Sequence, residues 1–116
     1  LRKQYFFRPS PRGLLAWDVD RLVRLSATLP RKLVPLEPIG KFDHEWRGAM
    51  VEHMRLIEQA DLSFPIILSA TGEIMDGRHR VAKALLLNRT EIEAVQFPID
   101  PEADYVGRDP EDLPYE

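Results

Sequence analysis

Phe64-Pro65-Ile66-Ile67-Leu68-Ser69-Ala70-Thr71-Gly72-Glu73-Ile74-Met75-Asp76-Gly77-Arg78-His79-Arg80 decides the fold reading. The run Phe64 to Ser69 is short, apolar and rich in β-branched residues, which predicts a buried strand. Ala70-Thr71-Gly72 is a turn, and Glu73-Ile74-Met75 returns as a second strand, completing a hairpin. Asp76-Gly77 ends it. Arg78 to Asn88 then reads as a helix, with Val81, Ala82, Ala84, Leu85 and Leu86 or Leu87 on its inner side. Glu91 to Phe97 alternates Ile92, Glu93 and Val95 and predicts a closing strand.

Upstream, Asp18 is expected to cap a helix whose Val19, Leu22, Leu25 and Leu29 recur at helical spacing until Pro30. Leu33 to Ile39 is extended, and its two prolines remove backbone donors, so it belongs at a sheet edge. Asp43 opens a further helix with Trp46, Met50, Met54 and Ile57 on one core-facing side. The order is helix, strand, helix, strand, strand, helix, strand. That predicts a small α+β domain, a mixed sheet of about four strands with three helices.

The predicted domain spans residues 18–99. Residues 1–17 form a basic, aromatic arm with Tyr5, Phe6 and Phe7, either a short strand or a cover for apolar surface. Residues 100–116 are a Pro-rich acidic tail carrying seven acids and one base. Residues 1–99 carry fifteen bases and twelve acids, too slight an excess for a dedicated DNA binder. The tail is expected to be solvated, to meet a partner, or to fold over a basic site and compete with its ligand.

The chain has 116 residues, 44% hydrophobic and 30% charged, which fits one ordered domain and excludes wholesale disorder. No apolar run approaches the roughly 20 residues of a membrane span, and no secretory signal is read at the start. The absence of cysteine excludes disulfides, thiolate metal sites and cysteine nucleophiles, and points to a cytoplasmic protein. His44, His53 and His79 make no metal motif.

Unusual chemistry concentrates at Asp76-Gly77-Arg78-His79-Arg80. The first N–H groups of a helix lack intrahelical partners, and the helix dipole places positive charge there. Two guanidiniums and an imidazole add to it, as in a phosphate site. Gly77 would let a ligand approach the backbone. Asp76 either caps the helix, which its residue type favours, or faces the ligand as a base or a water-mediated Mg²⁺ contact. Basic residues in a first helical turn oppose the dipole, and a broken local rule marks candidate function. The plainer reading pairs Arg78 and Arg80 with acids and packs His79 in the core. Lys83 either extends the positive rim or is a solvated helix lysine.

Pro65-Ile66-Ile67-Leu68, Gly72, Ile74, Asp76-Gly77, His79-Arg80, Ala82 and Ala84 resemble the ParB/sulfiredoxin-like superfamily, most closely over residues 64–84 and loosely over 33–97. The resemblance implies a stand-alone ParB-like domain that binds a nucleotide (ATP, ADP or CTP), with Mg²⁺-dependent phosphate transfer or hydrolysis as an expected chemistry. Asp76, Gly77, Arg78, His79 and Arg80 would hold the phosphates, and His79 would donate to a transition-state oxygen. By analogy with the free-serine kinases of that superfamily, Glu37 or Glu45 would act as general base. Arg78 stands where sulfiredoxins carry their reactive cysteine, so sulfiredoxin activity is not expected. No helix-turn-helix is read after residue 97, so DNA recognition would need a partner. The alternatives are a non-catalytic protein-interaction module and, more weakly, nucleic-acid binding or nuclease activity. No metal ligand set and no membrane contact are expected.

Overall fold

Asp18 ends one strand and starts the first helix. In the computed structural model, which describes residues 3–37 and 50–116, its carboxylate accepts the Asp20 N–H at 2.9 Å. Helix α1, Val19–Ser26, follows and buries Val19, Leu22 and Ser26. Before it lie β1, Tyr5–Arg8, and β2, Leu15–Asp18, paired antiparallel with Tyr5 opposite Asp18. After it comes β3, Lys32–Pro35.

The expected hairpin is present as β4, Ile66–Leu68, and β5, Ile74–Asp76. Helix α3, Arg78–Leu86, crosses from it to β6, Glu91–Gln96, which pairs parallel to β4. The strand order is β3-β6-β4-β5. β3 takes an edge, in keeping with Pro35 at its end. The fold is thus a mixed α+β one, with the sheet of four strands that the sequence predicts.

A second sheet stands beside it. β7, Tyr105–Val106, pairs with β2, giving the order β1-β2-β7. Residues read as an arm and as a tail therefore share one sheet. Two acids of the tail meet bases elsewhere in the chain. Asp100 lies 3.1 Å from the Arg8 guanidinium, and Asp104 lies 3.2 Å from that of Arg21. Neither pair involves the basic start of α3, so these acids do not compete for it. Asp109 caps a short 3₁₀ turn at Pro110–Asp112, and Leu113 is buried beyond it.

Two cores lie on the two faces of the larger sheet. Leu36, Ile66, Leu68, Ile92 and Ala94 pack against Val81 and Ala84 of α3. Ile67, Met75, Val95 and Phe97 pack against Trp17 and Leu22. Alternation along β4 and β6 sends neighbouring side chains to opposite cores.

Two packing expectations need correction. Leu85, Leu86 and Leu87 are exposed, Leu86 by 71%. The buried line of α3 is Val81 and Ala84, and the helix stops before a third inward position. Asn88 adopts φ 57°, with Asn88 N–H donating to Leu85 and Arg89 N–H to Ala84, a left-handed helix end. Helix α2, described from Met50 to Gln59, buries Ile57 at 7% exposure but leaves Met54 at 57%. The Met54 position on the expected core stripe is therefore wrong, because α2 is fastened to α3 through its C-terminal end. Asp43 and Trp46 lie outside the described residues.

That fastening is made by Lys83. Its ammonium donates to the carbonyls of Glu58 at 2.9 Å and Ala60 at 2.7 Å. It satisfies terminal carbonyls of α2 and complements the negative end of its dipole. It is neither a solvated lysine nor part of a phosphate rim. Lys83→Met keeps the stem and loses the charge. It should cost about 1–2 kcal/mol, read as a lowered urea midpoint, and an unchanged midpoint would refute the role.

Candidate functional site

Gly77 is the N-cap of α3, with φ 110° and ψ 20°. Its carbonyl accepts the Val81 N–H at 3.0 Å, the first turn of the helix. The left-handed φ favours glycine. A Cβ here would lie 2.6 Å from Ile66 Cγ2. The close approach that Gly77 allows is thus to the side chain of β4, which seats the helix on the sheet.

Asp76 does not cap α3, since Gly77 holds that position. Its carboxylate instead accepts from Arg80 Nη2 at 2.9 Å, one helical turn on. Arg80 Nη1 also reaches the Pro65 carbonyl at 3.3 Å. Arg80 is therefore half-buried and tied to both flanks of the hairpin, as the plainer reading expects for this residue. Arg78 is exposed and His79 half-buried.

All five residues line a groove of about 840 Å³. Its opposite wall holds Lys3, just before β1, Tyr5 and Phe7 from β1, and Tyr115 from the tail. Phe64, 59% exposed, and Asp61 complete the rim near α2. Hydrogen bonds from the Ser63 hydroxyl and N–H hold Asp61 below the ordinary aspartate range, helped by Lys83 and Arg80. The volume falls in the range of small-molecule sites.

No family model, curated protein or solved structure matches this chain. The groove must therefore be read from its own residues.

Glu37 is exposed and is not part of the groove lining. Leu36 beside it packs in the core with Ile66 and Val81, and its N–H donates to the Thr90 carbonyl at 2.9 Å, beyond the end of α3. Glu45 lies outside the described residues. Among the described residues no group of three or more His, Asp or Glu is placed to hold a metal ion. Mg²⁺ commonly binds through one or two carboxylates together with substrate phosphates. Here the carboxylate of Asp76 is already engaged by Arg80. No helix among the described residues is long and apolar enough to cross a membrane.

The opposite wall was not foreseen. Tyr5-Phe6-Phe7 carries a strand signal in its composition, but nothing local names what it faces. Lys3 anchors this wall through Asp18, Nζ to Oδ2 at 2.9 Å. The contact raises the lysine above its ordinary value. Burial resists ionisation of Asp18, but the Lys3 ammonium and the capped N–H groups outweigh it and lower its pKa. A lowered folded pKa gives stability that is present above about pH 4 and lost as pH falls through the folded value. The stability difference between wild type and Asp18→Asn should accordingly be largest at neutral pH and shrink towards pH 2. A difference independent of pH, followed by urea unfolding, would contradict this.

Proposed function

We propose that the groove binds a phosphorylated small molecule of nucleotide size. The observation that carries this reading is that the whole run Asp76 to Arg80 lines one groove of about 840 Å³ together with aromatic side chains. The N–H groups at the start of α3 and the Arg78 and His79 side chains receive the phosphate. Tyr5 and Phe64 offer flat apolar surface to a base or similar ring. Arg80 orients this end of the helix through Asp76 and Pro65. Transfer or hydrolysis of the phosphate, the chemistry implied by the ParB/sulfiredoxin resemblance, would use Mg²⁺ brought with the nucleotide. His79 would then donate to the phosphoryl oxygens as charge develops there.

The test is thermal unfolding with ATP, ADP, CTP and GTP, each with and without Mg²⁺. At about 100 times its Kd, a ligand adds about 2.7 kcal/mol, which raises Tm by several degrees. The rise should appear with wild type and vanish with Arg78→Ala. Arg80→Ala is the poorer probe, because it also breaks the Asp76 and Pro65 contacts. No rise with any nucleotide at millimolar concentration removes the reading.

A further inference from the structure

One wall of the groove is β1, and the other is β5 with the start of α3. Backbone ladders fix the spacing of strands within a sheet. Among the described residues no ladder joins β1 to β5, since each is outermost in its own sheet. The width of the groove is therefore set by side chains. Trp17 supplies one tie, packed with Met75 and Val95. It lies on β2, one strand behind the wall.

A second tie lies on the walls themselves. Phe7 of β1 and Ile74 of β5 line the groove. Arg8 follows the one and Glu73 precedes the other. Arg8 Nε donates to Glu73 Oε1 at 2.9 Å, and Nη2 donates to the same oxygen. Nη1 faces Asp100 Oδ2 at 3.1 Å. The other oxygen of Asp100 accepts the Ala70 N–H at 2.8 Å, which returns the link to the turn between β4 and β5. The guanidinium also lies 4.9 Å from the Trp17 ring centre. All three of its nitrogens are thus engaged, in a planar fork that lysine cannot copy.

We propose that Arg8 is a positioning residue of the groove: its bonds to Glu73 brace β1 against β5 and fix the gap that an occupant must fill. The brace stands on these contacts alone. Its effect on an occupant rests on the binding of a phosphorylated molecule there.

Glu73→Ala is the test variant, because Glu73 has a side chain 45% exposed and is not part of the groove lining. Its backbone bonds with Ser69 close the hairpin turn and survive the change. The chain has no cysteine, so Arg12→Cys beside the smaller sheet and Leu86→Cys beside the larger, both exposed, take one nitroxide each. Pulsed electron paramagnetic resonance should give one narrow distance with Glu73 present and a broader, longer distribution with Glu73→Ala. Glu73→Gln keeps the accepting oxygen and should restore the narrow distance, which a general loss of stability would not do. The nucleotide that raises Tm most should bind Glu73→Ala about two- to fivefold more weakly, while Glu73→Gln stays close to wild type. A distribution unchanged by Glu73→Ala overturns the brace. A broadened distribution with unchanged affinity overturns its role in the groove. A broadened distribution in a chain that no nucleotide stabilises leaves the brace standing and removes the nucleotide.

Discussion

Gly77→Ala should cost about 4 kcal/mol and leave the domain close to its folding limit. Two effects combine. A non-glycine residue at φ 110° bears backbone strain of about 1–3 kcal/mol. The new methyl group would also lie 2.6 Å from Ile66 Cγ2 and 2.9 Å from Ile66 Cβ. Ile66 is fully buried at the centre of one core, so it has nowhere to go, and overpacking adds about 1–3 kcal/mol. Gly72→Ala is the control. Gly72 also has a positive φ, 93°, but its Cβ would meet nothing within 4 Å. It should show the backbone cost alone. Urea midpoints of the two variants separate the contributions, and equal losses would rule out the steric one.

Trp17→Ala should cost about 3–5 kcal/mol. Trp17 is 2% exposed and belongs to both sheets, sitting on β2 while packing on the Met75 and Val95 face. The Arg8 guanidinium lies 4.9 Å from its ring centre, and Phe6 packs at 5.6 Å. Its indole N–H donates to the Pro101 carbonyl at 2.8 Å. Trp17→Phe retains most of the packing but leaves that carbonyl unpaired, and should cost about 1–3 kcal/mol. With native domains stable by only about 5–15 kcal/mol, the alanine variant should be largely unfolded at 37 °C by circular dichroism. A loss below 1 kcal/mol would mean that the two sheets hold together without this residue.

The larger sheet was legible because its signals are local. The hairpin, α3 and β6 follow one another within residues 66–96, and alternation gives way to helical spacing at a glycine. The two prolines of the segment Leu33 to Ile39 also pointed to an edge, which β3 takes, whereas periodicity set the inward faces of the helices. It could not show where the core ends, so Leu85, Leu86 and Leu87 were assigned inward. Asp76 looked like a cap because Asp commonly is one. The backbone angle of Gly77, which moves the cap one residue on, is one that glycine permits but that its presence alone does not announce. The smaller sheet was illegible for a different reason. Its strands carry weak, short patterns, and Leu15 meets Val106 across nearly the whole sequence. One wall of the groove was therefore readable as a basic run, and the other depends on which distant segments pair.

That distance also orders assembly. The larger sheet closes through nearby partners, whereas the Leu15–Val106 ladder must bring together segments at opposite ends of the chain, with the loop entropy this entails. Long-range pairings of this kind slow folding. The groove has one wall on each sheet, so it comes into being only at the last step and is the first feature lost on partial opening. Amide protons of β1, β2 and β7 would then exchange ahead of those of β4 and β6, and any occupant of the groove would act as a clasp that delays this opening.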